Sequence, residues 1–212
     1  MTSSTEAVPT GNTFDKYGST NPVVRRLMAR FERTLDELFT QAAPASILDV
    51  GCGEGVLTER WAQRLRSGRV VGLDLEDPKL SAEWAARARP NLEFRTISGS
   101  PTSFALPFSD DEFELAAAIE VLEHVPDPER TVAEMARVAR SHLLVSVPHE
   151  PLWRALNMAR GAYIRHLGNT PGHVNHWSRR SFVRMLSGYG ETLEVRSPFP
   201  WTMVLVRVEA GG

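Results

Sequence analysis

The stretch at residues 47–62 constrains the fold more than any other part of this chain. Residues 47–50 have the character of a buried strand, a helical pattern begins at residue 56, and between them glycines occupy alternate positions, Gly51, Gly53 and Gly55. A glycine-rich turn between a strand and a helix is a ligand-binding device. Its backbone lets a ligand approach closely, and the helix behind it presents free N–H groups and a positive dipole end.

The acid that precedes this turn indicates what kind of ligand it holds. Dinucleotide-binding folds use G-x-G-x-x-G and place a pyrophosphate on the helix. This chain has G-x-G-x-G, with Val56 after the last glycine and Asp49 two residues before the first. Because a carboxylate would repel a pyrophosphate and attract a cation, the turn favours a cofactor with a cationic group over a nicotinamide dinucleotide.

The motif LDVGCGEG at residues 48–55 resembles the first motif of the class I S-adenosylmethionine-dependent methyltransferases, hydrophobic-Leu-Asp-hydrophobic-Gly-x-Gly-x-Gly. The resemblance implies a Rossmann-like α/β fold, with a seven-stranded, mostly parallel sheet, helices on both faces and a small helical cap. It implies S-adenosylmethionine as the cofactor and S-adenosylhomocysteine as the product. The residues expected to bind the cofactor are Asp49, Gly51, Cys52, Gly53, Gly55, Asp74, Leu75 and Glu120.

Asp74 ends the second predicted strand, 19 residues after Gly55. An acid at this spacing accepts hydrogen bonds from the two hydroxyls of a ribose, and Leu75 would then lie near the adenine edge. The alternative is a surface acid that caps the next helix, a role for which Asp77 is better placed. The loop at residues 99–108 resembles the family's adenine loop but lacks its aspartate, and offers only Ser100, Thr102 and Ser103.

A second informative stretch, EVLEH at residues 120–124, follows the fourth predicted strand. Ligands of open α/β sheets bind outside the carboxyl ends of the strands, so we expect this stretch at the reactive end of the cofactor. His124 and the later His173 are the candidate catalytic bases, although each could equally be a structural histidine.

These residues also resemble a metal-binding pattern. The metal-dependent small-RNA terminal 2′-O-methyltransferases carry Glu-x-x-Glu-His and a histidine four residues before a tryptophan, as His173 stands before Trp177. Ubiquinone-pathway O-methyltransferases show a similar Glu-x-x-Glu-His. Because many methyltransferases have the same residues without an ion, we assign no metal ligand, and binding of a divalent ion by Glu120, Glu123, His124 and His173 stays open.

The domain organisation follows from composition and length. Residues 1–13 are polar and are expected to be a disordered tail. Residues 14–212 are expected to form a single methyltransferase domain with a helical cap inserted at about 149–177. In the family a leading helix commonly closes over the cofactor, and Phe14 and Tyr17 could belong to such a lid.

Charge and cysteine content bear on partners. The net charge of −2 gives no general affinity for nucleic acid, and we expect no DNA partner. The absence of a leader, of a long apolar run and of a second cysteine favours a soluble, cytoplasmic protein with no membrane partner. Residues 149–184 nevertheless hold one acid and six arginines, which favours an anionic acceptor or else a solvated helix face: Arg154, Arg160, Arg165, Arg179, Arg180 and Arg184.

The sequence therefore predicts methyl transfer from S-adenosylmethionine to a small molecule, more at oxygen than at carbon or nitrogen, with an anionic metabolite or a natural-product or quinone-type intermediate as candidate acceptors. One alternative is metal-assisted RNA 2′-O-methylation. Another is a cofactor-binding protein without transferase activity. The oligomeric state cannot be read from the sequence.

Overall fold

The computed structural model describes residues 20–97, 105–159, 169–170 and 172–209. Its strands are β1 (Ser46–Val50), β2 (Arg69–Leu75), β3 (Leu92–Ile97), β4 (Phe113–Ile119), β5 (Ala139–Pro148), β6 (Gly190–Arg196) and β7 (Trp201–Val208). Its helices are α1 (Pro22–Ala42), α2 (Val56–Arg64), α3 (Pro78–Ala86), α4 (Pro128–Val138), α5 (Leu152–Ala159) and α6 (Arg179–Leu186).

The strands form one sheet in the order β3-β2-β1-β4-β5-β7-β6. The first five in this order are parallel to one another, and β7 runs antiparallel to both β5 and β6. The predicted fold, a seven-stranded and mostly parallel sheet with helices on both faces, is confirmed. All parallel strands end at one edge, here called the carboxyl edge, and the turn after β1 and the stretch after β4 both lie there.

The two sides of the sheet carry separate cores because strand residues alternate between faces. Ile47 belongs to a core with α1 and α2, in which Phe39 stacks on Trp61 with ring centroids 5.7 Å apart. Its neighbour Leu48 belongs to the opposite core, with α4 and α6. The central strands are therefore buried on both faces, as parallel sheets covered by helices require.

Most helix starts carry a side-chain cap, among them the predicted one at Asp77. The side chains of Asn21, Asp77, Asp127 and Ser178 accept hydrogen bonds from the first turns of α1, α3, α4 and α6. Helix α2 differs, because its cap residue is Gly55 and no side chain bonds to its first turn. Its N-terminal N–H groups are therefore not used by a capping side chain.

Some boundaries differ from the predicted ones. Strand β5 begins at Ala139, three residues before the predicted start at His142, because α4 ends at Val138 and Ala139 pairs directly with Phe113. The predicted tail, the proposed lid residues Phe14 and Tyr17, and much of the predicted cap beyond α5 lie outside the described residues.

Since each described helix packs on or beside this one sheet, we infer that the described residues belong to one domain. Within the part of the chain described here, no helix combines the length and the apolar character that crossing a bilayer requires.

The packing of α6 on the sheet gives a stability prediction. Phe182 is completely buried, whereas Arg184 on the same helix is exposed. Phe182→Ala removes a buried ring and leaves a cavity, so we expect the free energy of unfolding to fall by about 3–5 kcal/mol. Arg184→Ala is the matched control, with an expected change within about 0.5 kcal/mol. Urea denaturation measures both, and equal effects would show that α6 does not anchor the core.

Candidate functional site

The glycine turn adopts a backbone conformation that other residues rarely reach. Gly51 has a φ of +74° and Gly53 one of +53°. A Cβ on Gly51 would lie 2.6 Å from the side chain of Val121, so this glycine lets the segment after β4 lie against the turn. A Cβ on Gly53 would meet nothing within 4 Å. The Val121 side chain thus covers the turn at Gly51, whereas the space beside Gly53 is empty and a ligand can approach the backbone there.

Strand β2 holds this turn through its last residues. The backbone N–H groups of Gly51 and Cys52 both donate to the Leu73 carbonyl oxygen, at 2.7 Å and 3.1 Å. Asp74 accepts from Gly53 N–H at 2.5 Å and from Leu75 N–H at 2.7 Å, one bond to each carboxylate oxygen. Burial raises the pKa of Asp74. A carboxylate oxygen can accept further bonds, so Asp74 retains capacity for a ligand's hydroxyls.

Helix α3 supplies a contact that sequence reasoning missed. The indole Nε1–H of Trp84 donates to the Gly53 carbonyl oxygen at 2.8 Å. Its ring stacks on Phe94, with centroids 5.1 Å apart. Gly53 is therefore fixed on both sides, through its N–H by Asp74 and through its carbonyl by Trp84. The only available signal was a tryptophan in the helix that follows β2.

Asp49 lies beneath the turn and is not exposed on its surface. Its side chain is 2% exposed and accepts a 2.6 Å hydrogen bond from the Thr58 hydroxyl. Burial raises the pKa of Asp49 from 3.8 to about 7, despite the hydrogen bond from Thr58, which lowers it. An opposite charge at the turn would favour ionisation of this carboxyl, so the structure suits the cationic cofactor that the sequence predicted.

The remaining predicted cofactor residues lie around this turn. Cys52 is partly buried, and burial raises the pKa of its thiol. Leu75 is 41% exposed at the end of β2. The turn, its uncapped helix and the Asp74 carboxylate together offer backbone donors, an acidic group and an apolar surface, a set that fits the methionine and nucleoside parts of S-adenosylmethionine.

Glu120 follows β4 directly and has a φ of +61°, which is unusual for a residue with a side chain. Its Oε1 accepts a 2.9 Å bond from the hydroxyl of Ser146, a fully buried residue of β5. Ser146 was missed because a lone serine in an apolar strand gives no signal of its partner. Strand β5 thereby holds the side chain of Glu120.

The structure brings together three of the four residues that could hold a metal. The ligand atoms of Glu123, His124 and His173 all lie within 4.8 Å of one another, and Glu120 is not part of this group. Glu123 is 2% exposed, and its Oε1 lies 4.0 Å from His124 Nε2. The two imidazole rings meet edge to face, with centroids 4.8 Å apart.

The orientation of His124 is fixed by the cap. Its Nδ1 lies 3.0 Å from the Gly172 carbonyl oxygen. Because a carbonyl can only accept, Nδ1 carries the hydrogen, and Nε2 is left with a lone pair. A histidine held in this way can serve as a base or as a metal ligand.

Asn175 joins the cap to the segment after β4. Its Nδ2 donates to the carbonyl oxygens of Leu122, at 3.1 Å, and Val125, at 2.6 Å. The N–H groups of Val174 and Asn175 donate to the Glu123 carbonyl oxygen at 2.8 Å and 3.2 Å. The position of His124 relative to His173 therefore depends on these bonds, none of which could be read from the sequence.

Other predicted features lie elsewhere. Ser100, Thr102 and Ser103 of the adenine loop are outside the described residues. His176 lines a separate cleft of about 730 Å³ between α4 and α6, together with Trp177, Arg184 and Tyr189. That cleft contains none of the residues predicted to bind the cofactor or to act in catalysis.

Comparison with known proteins gives the following matches. Residues 48–144 match the family model described as a methyltransferase domain. The ubiquinone biosynthesis O-methyltransferase of Pseudomonas fluorescens is 32% identical over 100 residues, which cover 46% of this chain and 41% of that protein. The protein of the same name from Saccharophagus degradans is 33% identical over 100 residues, with 47% and 41% covered. The matched stretch thus spans less than half of these relatives.

Two solved structures share the fold. Magnesium protoporphyrin IX methyltransferase from Synechocystis PCC 6803, with bound SAH, has a TM-score of 0.60 at 16% identity, and 91% of this chain and 90% of that chain are covered. Human N-acetylserotonin methyltransferase, in complex with SAM, has a TM-score of 0.62 at 16% identity, with 87% and 56% covered. At these identities the likeness shows the fold alone.

The raised pKa of Asp49 predicts a dependence of stability on pH. Between about pH 4 and pH 7 the folded chain holds a proton on Asp49 that the unfolded chain releases, so this carboxyl lowers the free energy of unfolding as the pH rises. Asp49→Asn cannot ionise. Relative to the parent protein, it should gain about 2–4 kcal/mol on going from pH 5 to pH 8, measured by urea denaturation without cofactor.

Glu76→Gln, at an exposed acid near the end of β2, is the control, and its stability should follow the parent protein at both pH values. If the stability of Asp49→Asn also runs parallel to the parent protein, Asp49 does not hold its proton into the neutral range.

Proposed function

We propose that this chain, whose residues 48–144 match the family model of a methyltransferase domain, is a class I, S-adenosylmethionine-dependent methyltransferase that methylates an oxygen atom of a small-molecule acceptor. The observation that supports the proposal best is the grouping of His124 with Glu123 and His173 in the segment after β4, whose Val121 lies against Gly51 of the turn. The cofactor is S-adenosylmethionine.

The proposed cofactor site uses the turn and the ends of β2 and β4. Gly53 presents open backbone, Asp74 accepts hydrogen bonds from the ribose hydroxyls, and Asp49 balances the positive charge from below. Glu120 lines the sulfur end, because it directly follows β4 and the adjoining Val121 contacts Gly51. Trp84 keeps Gly53 in place through its carbonyl.

When bound, S-adenosylmethionine supplies a methyl group on a sulfonium centre and leaves as S-adenosylhomocysteine. The protein must bring the acceptor oxygen in line with that methyl carbon and accept the proton of the hydroxyl as the O–C bond forms. His124 accepts this proton at Nε2, and the nearby Glu123 carboxylate, 4.0 Å away, stabilises the imidazolium. His173 packs against His124 and orients its ring.

The same three side chains support a second scheme, in which they hold a divalent ion. One carboxylate and two imidazoles make a three-ligand set that leaves positions open for an acceptor, as in catalytic metal sites. His124 donates its Nδ1–H to the Gly172 carbonyl oxygen, and metal-bound histidines commonly hold their second ring nitrogen in the same way. The ligand atoms around a tetrahedral zinc ion are roughly 3.3 Å from one another. The ligand atoms of the three side chains lie within 4.8 Å of one another here, so they would have to move slightly closer together to bind an ion. Such an ion would lower the pKa of an acceptor hydroxyl.

The acceptor is inferred from chemistry and from relatives. Two relatives are named ubiquinone biosynthesis O-methyltransferases, which supports an oxygen atom of a quinone-type intermediate as the site of methylation here. The cap arginines support an acceptor with an anionic group. The grouping of Glu123, His124 and His173 also supports metal-assisted RNA 2′-O-methylation as the alternative, whereas the net charge of −2 counts against a general RNA affinity.

Cofactor binding is tested first, by titration calorimetry with S-adenosylmethionine and with NAD as the control ligand. We expect Asp74→Ala to weaken S-adenosylmethionine binding by at least about tenfold, because the ribose hydroxyls and the Gly53 N–H lose their acceptor. Asp77→Ala is the matched control, since Asp77, three residues after Asp74, caps α3 by accepting a hydrogen bond from Lys79 N–H. Binding of NAD instead of S-adenosylmethionine would contradict the cofactor assignment.

Catalysis is tested with phenol and catechol as probe acceptors and with release of S-adenosylhomocysteine as the measured product. His124→Gln should lower the rate by about a hundredfold or more while the affinity for S-adenosylmethionine is unchanged. His176→Gln, in the separate cleft, is the control. An unchanged rate in His124→Gln would remove this residue from the mechanism.

A chelator separates the two schemes. Indifference of the rate to chelator supports His124 as a base without a metal. Loss of activity in chelator, with recovery on adding Mg²⁺ or Zn²⁺ and a matching loss in His173→Gln, supports the ion. Binding of S-adenosylmethionine without turnover of any phenolic or RNA probe would favour a cofactor-binding protein that transfers no methyl group.

A further inference from the structure

The large apolar side chains that remain exposed are not scattered over the surface. Among the described residues, six are at least 36% exposed, and all six lie at the carboxyl edge of the sheet. Two of them flank the glycine turn and Asp74, and are accounted for by the cofactor site. The other four lie around the ends of β4, β5 and β7, outside the glycine turn: Val23, Met158, Val174 and Phe199.

Pairing and packing place these four at that edge. Phe199 lies in the turn before Trp201, which pairs with Pro148, the last residue of β5. Val174 bonds through its N–H to Glu123, after β4, and Met158 lies in α5, which begins shortly after β5 ends. In α1, Phe31 packs on Trp201 at 4.8 Å. Val23 precedes Phe31 by about two helical turns and therefore projects beyond the edge.

Exposed arginines accompany these apolar groups. Arg25, Arg26 and Arg30 lie in the first half of α1, and Arg179 and Arg180 open α6; all five are exposed. None of these side chains makes an ion pair or a side-chain hydrogen bond with another described residue. By contrast, acids in the second half of α1 are paired, as Asp36 is with Arg60 and Arg64.

Four of the five arginines stand near the positive ends of their own helices. A helix N-terminus carries partial positive charge, which disfavours Arg179 and Arg180 in the first turn of α6 and, more weakly, Arg25 and Arg26 just past the first turn of α1. Neither α1 nor α6 has an acid in its first turn. Helix α1 packs on one face of the sheet and α6 on the other, but both begin at the carboxyl edge. The arginines and the two helix dipoles therefore add to the positive potential at this edge, and an anionic partner would relieve the repulsion.

From this arrangement we propose that the surface formed by Val23, Met158, Val174, Phe199 and the five arginines, here called the basic edge, docks on an anionic lipid surface. Aliphatic side chains enter the boundary between headgroups and acyl chains, and arginines bind the lipid phosphates. A single-stranded nucleic acid would need aromatic platforms for its bases, and Phe199 is the one aromatic residue among the four.

The inference goes beyond the proposed function and does not depend on methyl transfer. It departs from the expectation, drawn from the absence of a leader and of a long apolar run, that the chain has no membrane partner. Docking at this edge would place the Glu123, His124 and His173 group close to the lipid surface, where an amphiphilic acceptor with an anionic head could reach it without leaving the bilayer.

The test is cosedimentation of the full chain with vesicles of phosphatidylcholine alone or mixed with phosphatidylglycerol. We expect binding to the mixed vesicles only, and weaker binding as salt is raised. Arg25→Gln/Arg26→Gln and Arg179→Gln/Arg180→Gln should each lower the partition coefficient by at least about tenfold. Val23→Ser/Val174→Ser should lower it about fivefold with the charge unchanged.

The matched control is Arg66→Gln/Arg207→Gln, which removes the same charge from exposed positions away from the basic edge. It should bind vesicles as the parent protein does. Equal losses in the control and the basic-edge variants, or no binding to mixed vesicles, would overturn the proposal. So would tighter binding of a labelled single-stranded RNA than of vesicles at the same salt. Calorimetry with S-adenosylmethionine on each variant reports the cofactor site separately.

Discussion

The site depends on the attachment of the glycine turn to β2. The N–H groups of Gly51 and Cys52 share the Leu73 carbonyl, and Asp74 takes the N–H of Gly53. These bonds fix the backbone of a turn that consists largely of glycine. Because Gly51 has no Cβ, Val121 can lie directly against it. The segment after β4, which carries the candidate catalytic residues, is therefore positioned by contacts made one and two strands away.

Sequence patterns predicted the parts of this arrangement that are local. The buried strand before Gly51, the cap at Asp77 and the acid at Asp74 each have a cause within a few residues, and the structure places each where the pattern predicted. Trp84, Ser146 and Asn175 could not be predicted, because each acts on a partner at least 26 residues away. Their residue types are common in unrelated roles, so a single sequence holds no signal of these pairings.

The bonds of Asn175 give the cap two functions. A cap that contacts the acceptor would contribute to specificity. The described end of the cap also donates hydrogen bonds to three backbone carbonyl groups after β4, and its Gly172 carbonyl oxygen accepts a hydrogen bond from His124 Nδ1. Any movement of the cap must therefore change the orientation of His124. The geometry of the base, or of a metal ligand, is then coupled to whether the cap is in place, which is a structural route by which acceptor binding can complete the site.

The distribution of charge matters more here than its sum. A net charge of −2 conceals a carboxyl edge with acids on the cofactor side, among them Asp74, Glu76 and Asp77, and on the other side exposed arginines that pair with no described residue. The acidic side suits a sulfonium cofactor, and the basic side suits an anionic acceptor or an anionic surface. Opposite charges at the two ends of one edge would favour a cationic ligand at β2 and an anionic one at β5 and β7. Because the strand order separates these two ends, it would also separate the two proposed ligands.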